Sequence, residues 1–189
     1  MTSVAALEAS LTDLARVVAI LRHEDWDRPT PCPAWSVGDV LDHVLEITDK
    51  FTRFAAGLTD APRGRAPHAR DRRAALEAVI TESRAAWSRV DSGRTCHLPF
   101  GDFSATAAAG INAADVLVHT WDIARGAGVD YSMPADLVPG ALAVIERLAA
   151  GDRDHHHYAR PPAMADGSGP DTLLIASGRS PNWPERAGE

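Results

Sequence analysis

Apolar residues recur at spacings of three and four from the start of the chain. Val4, Leu7, Leu11, Leu14, Val18 and Leu21 line one side of a helix, with Ser3 as its N-cap. Three prolines within residues 23–35 (HEDWDRPTPCPAW) exclude a regular helix there and require an extended, turn-rich loop. Ser36 then caps a second helix, marked by Val37, Val40, Leu41, Val44, Ile47, Phe51 and Phe54 and ending near Gly57. Residues 59–69 (TDAPRGRAPHA) have the composition of a loop. A third helix is predicted over 71–90, with Leu76, Val79, Ile80 and Trp87 on its apolar side. Residues 91–103 break it and leave room for a short extended piece. Ser104 caps a fourth helix that runs to about Ala127, where Gly128 stops it in the left-handed conformation glycine favours. A shorter fifth helix is predicted over 135–149, ending at Gly151. An irregular stretch follows, then DTLLIASGRSPNW, which reads as one short helix and a packed tail.

The architecture this pattern predicts is all-α: a four-helix bundle with a short fifth helix and an irregular C-terminal tail. Residues 1–150 form the bundle, and 151–189 form a tail whose short helix packs on it. A chain of 189 residues fills one core, and its apolar fraction of 45% with 24% charged residues is that of a globular protein. The net charge of -7 argues against nucleic acid as a partner, since the one basic cluster, Arg70–Arg73, is broken by Asp71. Charges at Glu8, Asp13 and Arg16 interrupt the N-terminal apolar residues, and no run approaches membrane-spanning length. The expected location is the cytoplasm, with no membrane partner. Cys32 and Cys96 form no C-x-x-C, so neither a disulfide framework nor a cysteine-type zinc site is indicated.

The fourth helix carries the candidate chemistry. It is apolar nearly all round, yet DVLVHTWDIARGAG places Asp115, His119 and Asp122 at i, i+4 and i+7, on one stripe. Buried polar groups of this kind must face water, satisfy one another or bind something. The Asp115/His119 spacing lets two side chains reach one ion, although a solvated ion pair is the plainer reading of the isolated motif. His43 on the second helix lies between Val40 and Ile47, toward the core. His43, Asp115 and His119 together make a set of two imidazoles and a carboxylate that leaves a coordination position open, the catalytic rather than structural arrangement. Asp122 reads as an acceptor behind a ligand imidazole or a helix-border residue, with a fourth ligand as the alternative and Arg125 as an ion-pair partner. Cys32 reads as a small buried hydrophobe, the alternative being a reactive thiol or ligand. The run His155–His157 reads as a solvated or weakly metal-scavenging loop. The five tryptophans, Trp26, Trp35, Trp87, Trp121 and Trp183, read as core or helix-end plugs.

The segments WDRPTPCPAWSVGDVLDHV and DVLVHTWDIARGAG, followed by the ending DTLLIASGRSPNW, resemble the DinB/YfiT-like superfamily. Within it they are similar to the actinobacterial proteins related to the N-terminal domain of mycothiol-dependent maleylpyruvate isomerase. The resemblance implies a four-helix bundle holding a divalent metal through one His of the second helix and a carboxylate-x-x-x-His pair of a later one, here His43, Asp115 and His119. Asp115 departs from the family pattern, which has Glu there, and no counterpart of the isomerase's C-terminal domain is expected within these 189 residues. Zinc leads the candidate metals, ahead of nickel, iron or manganese. The implied chemistry is that of a metal-dependent S-transferase or thiol-dependent isomerase, with mycothiol as co-substrate and a small electrophile as partner. The alternatives are a metal-dependent hydrolase in the same site and a non-catalytic metal-binding or dimerising module, a homodimer being compatible with either.

Overall fold

The computed structural model describes residues 1–58, 71–151 and 169–184, so the loop at 59–69 and the run His155–His157 lie outside the described residues. Six helices account for most of it: α1 (Ser3–Ala19), α2 (Val37–Ala55), α3 (Arg72–Trp87), α4 (Ala105–Ala127), α5 (Val138–Gly151) and α6 (Pro170–Ala176). The extended piece expected before α4 is a hairpin of β1 (Thr95–Leu98) and β2 (Gly101–Ser104), antiparallel with Thr95 opposite Ser104 and Leu98 opposite Gly101. The bundle is therefore all-α in its body, with one two-stranded ribbon leading into α4. No helix among the described residues is long and apolar enough to cross a membrane.

Several boundaries differ from the periodicity, each for a local reason. Thr2, not Ser3, caps α1, its hydroxyl accepting from the Ala5 N–H at 3.3 Å. The apolar repeat continues to Leu21, but α1 ends at Ala19, and Arg73 of α3 donates to the Val18 and Leu21 carbonyls there. Helix α3 ends at Trp87 and the chain turns before Val90. Helix α5 starts three residues later than 135, because the Leu137 N–H turns back onto the Pro134 carbonyl first. Other signals were followed closely. Ser36 and Asp39 form a reciprocal cap at α2, the Asp39 carboxylate accepting from the Ser36 N–H at 2.9 Å, and Gly128 closes α4 at φ 71°.

Helix α4 is the shared wall of two apolar clusters. One face joins Leu7, Leu11 and Leu14 of α1 with Val40, Leu41 and Val44 of α2 and Leu76 and Val79 of α3. The other, with Ala114, Leu117, Val118 and Trp121, packs against Leu137, Leu142 and Ile145 from the α5 region and Leu173 and Leu174 of α6. Burial on both sides explains why α4 reads as apolar all round. It also means that polar side chains on α4 depend on partners inside the protein, which the Asn112 amide and one oxygen of Asp115 lack.

Helices α2 and α4 are neighbours and run antiparallel, with Val37 against Gly126 and His43 against Asp115 and His119. Gly126 lets the proline-rich loop come close: a Cβ there would meet the Pro29 carbonyl oxygen at 2.8 Å and methyl groups of Thr30 and Val37 at 2.9 Å. Gly→Ala within a helix normally stabilises by about 0.5–1 kcal/mol. Gly126→Ala should do the opposite and destabilise by about 1–3 kcal/mol through overpacking, whereas Gly140→Ala in α5, which meets nothing within 4 Å, should be neutral or stabilising. Urea unfolding of both variants checks the contrast.

Candidate metal centre

The loop between α1 and α2 supplies one wall of the site. Thr30 organises it: its N–H donates to the Trp35 carbonyl at 3.2 Å, and its hydroxyl accepts from the Cys32 N–H at 3.2 Å. Ala34 takes a left-handed φ of 65°, an uncommon and costly conformation for a residue with a Cβ, at the tip of this turn. The next residue, Trp35, is thereby laid against two imidazoles, its ring centroid 4.8 Å from that of His43 and 6.1 Å from that of His119. Trp35 packs against the core just before the N-cap of α2, as a core or helix-end plug would, and is also a wall of the site.

His43 from α2 and the pair Asp115 and His119 from α4 converge, and one donor atom from each lies within 4.8 Å of the others. The closest approaches are Nε2 of His119 to Oδ1 of Asp115, 3.6 Å, and Nε2 of His43 to the same oxygen, 3.8 Å. These are too long for hydrogen bonds. They are near the roughly 3.3 Å that separates donors around a tetrahedral zinc ion with bonds of about 2.0–2.2 Å. The other oxygen of Asp115, Oδ2, is buried and has no hydrogen-bond partner. A carboxylate left so poorly satisfied, beside two imidazole nitrogens, has the donor chemistry of a divalent-cation site. The side chains of His43 and Asp115 are each 27% exposed while that of His119 is 9% exposed, so the cluster meets solvent through His43 and Asp115.

Behind His119 stands Asp122, one turn further along α4 and fully buried. Its Oδ2 lies 2.9 Å from Nδ1 of His119. Burial pushes the Asp122 carboxyl up, but the hydrogen bond from His119 and the charge of Arg179 outweigh it and hold it below the usual range. An ionised carboxylate only accepts, so Nδ1 of His119 donates to it, and Nε2 is the ring nitrogen that faces Asp115 and His43. Burial likewise pushes Asp115 up, and His119, His43 and Arg179 together pull it below the ordinary value.

The expected partner of Asp122, Arg125, is elsewhere: its guanidinium lies over Trp121 at 5.6 Å and donates to the Pro181 carbonyl at 3.1 Å. The position of Arg125, three residues on and exposed, lets it reach the tail rather than the buried carboxylate. Asp122 is paired instead with Arg179, from the segment after α6, through Nη2 to Oδ2 at 2.8 Å and Nε to Oδ1 at 3.3 Å. Arg179 lies in the ending DTLLIASGRSPNW that carries part of the family resemblance, but nothing in its local spacing shows that it answers a buried acid 57 residues back. Cys32 is half-buried and packs against the core; burial raises its thiol above the ordinary value, with Arg179 opposing and the two carboxylates adding to the shift.

The two carboxylates have different energetic standing, which unfolding in the presence of chelator will separate. Asp122→Ala strands a buried guanidinium and should cost on the order of 3–5 kcal/mol. Asp115→Asn removes a partly exposed charge that His119 and His43 attract without hydrogen-bonding it, and should cost only about 0–1 kcal/mol. Equal losses would mean that Asp115 is a structural ion-pair partner.

Residues 7–124 match the family described as the mycothiol maleylpyruvate isomerase N-terminal domain. Two curated relatives, uncharacterized protein Rv0738 of Mycobacterium tuberculosis strain ATCC 25618 / H37Rv and uncharacterized protein MT0763 of strain CDC 1551 / Oshkosh, are each 30% identical over 136 residues, 72% of this chain and 70% of theirs. Among solved structures, the mycothiol-dependent maleylpyruvate isomerase superposes with a TM-score of 0.60 at 14% identity, covering 75% of this chain and 66% of its own. A histidine-to-alanine mutant of that enzyme gives 0.54 at 13% identity. At such identities the superpositions speak to the fold, and this chain spans about two thirds of the enzyme's length. The fold, the matched span and the curated relatives together show that the chain belongs to the mycothiol maleylpyruvate isomerase N-terminal domain family, of DinB-like fold.

Proposed function

We propose that the protein is a metal-dependent enzyme of low-molecular-weight thiols, a mycothiol-type S-transferase or thiol-dependent isomerase acting on a small electrophile, with His43, Asp115 and His119 as its metal ligands. The observation that carries this reading is the convergence of two imidazoles and one under-satisfied carboxylate at a solvent-facing point on two rigid helices. A divalent ion such as zinc, when bound by such a set, ionises a coordinated thiol near neutral pH and so supplies a nucleophile. The family's association with mycothiol supports a thiol rather than water as the co-substrate.

The chain's own residues contribute orientation and enclosure. His119 is held in one tautomer by Asp122, Trp35 covers one side of the imidazole pair, and the partly exposed side chains of His43 and Asp115 form the mouth where thiol and electrophile meet. Cys32 sits beside this mouth as a protonated thiol, because burial disfavours its thiolate, and so does not compete with the incoming one.

Metal-loaded protein incubated with mycothiol and a panel of electrophiles should accelerate thiol transfer or isomerisation relative to chelated protein. Turnover that needs metal but no thiol would replace this reading with hydrolysis. His43→Ala and His119→Ala should each abolish stoichiometric metal binding. Metal addition raises the melting temperature by mass action, and that rise should shrink in Asp115→Asn but persist in Asp115→Glu, which restores a charged donor. An unchanged rise in Asp115→Asn would remove Asp115 from the ligand set.

A further inference from the structure

We infer that the C-terminal segment is a working part of the metal centre, and that Arg179 is the positioning residue through which it acts, by clamping Asp122 and so fixing His119. This rests on the reading of His43, Asp115 and His119 as metal ligands. The family match ends at residue 124, so Arg179 comes from beyond the matched domain.

The clamp has a definite geometry. Arg179 grips both oxygens of Asp122, at 2.8 and 3.3 Å, which sets the plane of the carboxylate. Its third nitrogen, Nη1, donates to the Ser177 carbonyl at 2.6 Å, so the whole guanidinium is engaged inside the protein. Oδ2 of Asp122 in turn holds Nδ1 of His119 at 2.9 Å, and the direction in which Nε2 of His119 points follows from that bond. The orientation of one candidate ligand is thus referred through two contacts to a residue 60 positions away.

The tail is built to deliver that side chain. Leu173 and Leu174 of α6 are buried in the cluster on the far face of α4, which fixes the short helix against the bundle. The helix then ends in a left-handed turn: Gly178 has φ 80°, its N–H donates to the Ile175 carbonyl at 3.0 Å, and the Arg179 N–H donates to the Leu174 carbonyl at 2.8 Å. This six-to-one and five-to-two pair reverses the chain at a fixed place and turns Arg179 back toward α4. A lysine there would keep a positive charge but could not grip both oxygens.

The test is metal affinity, not turnover. Zinc binding by wild type, Arg179→Ala, Arg179→Lys, Asp122→Asn and the double variant Asp122→Asn/Arg179→Ala is measured by competition with a chromophoric chelator. Cobalt-loaded samples report ligand geometry through their visible spectra, and unfolding in chelator counts the folded fraction. Arg179→Ala and Arg179→Lys should each weaken zinc binding per folded molecule by roughly 10 to 100-fold and alter the cobalt spectrum. The double variant should lose no more than Asp122→Asn alone, because both act through one contact. Wild-type affinity in both Arg179 variants, or losses that multiply in the double variant, would overturn the inference while leaving the metal reading intact. If Arg179→Ala does not fold, Arg179→Lys decides alone on the same criterion. Failure of the wild type to bind zinc or cobalt would overturn the metal reading and this inference together.

Discussion

An ionised carboxylate with no access to water is tolerable only if its surroundings neutralise it, and Asp122 is such a group. Much of the site's construction follows from that requirement. The carboxylate sits on the helix that both clusters bury, so its compensation had to come from side chains rather than solvent. His119 supplies one hydrogen bond and Arg179 two, and each partner is fixed by the same contact that satisfies the acid. Asp115, one turn before His119 on the same helix, has no comparable partner, and one of its oxygens is buried without a hydrogen bond. The contrast between two aspartates seven residues apart is what separates the frame of the site from its candidate chemistry.

The family likeness and the physics of the helix meet at this point. Membership in a family defined over residues 7–124 accounts for the bundle and for the helices bearing His43, Asp115 and His119. The matched span stops short of the segment that neutralises Asp122, whose ending DTLLIASGRSPNW carries a separate resemblance to the superfamily. The proline-rich loop is within the matched span and contributes differently, by close packing on Gly126 and by placing Trp35 against the imidazoles.

The helices were legible because they are written in short-range terms. Ser36, Ser104 and Gly128 are local signals, and the structure uses each where the pattern placed it. His43, Asp115 and His119 could be brought together on paper because a helix fixes spacing along one element and a neighbouring helix needs only to be adjacent. Boundaries set by tertiary contact were not legible: Arg73 meets the end of α1 from 52 to 55 residues away, and the apolar repeat there carries no trace of it. Arg179 and Trp35 were missed for the same kind of reason. One answers a charge far back in the chain, and the other owes its role to a left-handed Ala34 that no residue preference announces. Arg125 was the nearest cation in sequence to Asp122, but proximity along an exposed turn does not reach a buried face.

Helix α4 has no idle side. With both faces committed to packing, a change at almost any of its positions must be matched by a change in another element, which makes the helix slow to vary. The proline-rich loop carries no such double obligation. Around a donor set held on rigid helices, the shape of the mouth is therefore free to change in the loop between α1 and α2, through Trp35, Cys32 and the turn at Ala34. The outline of the opening can thereby change without moving His43, Asp115 or His119.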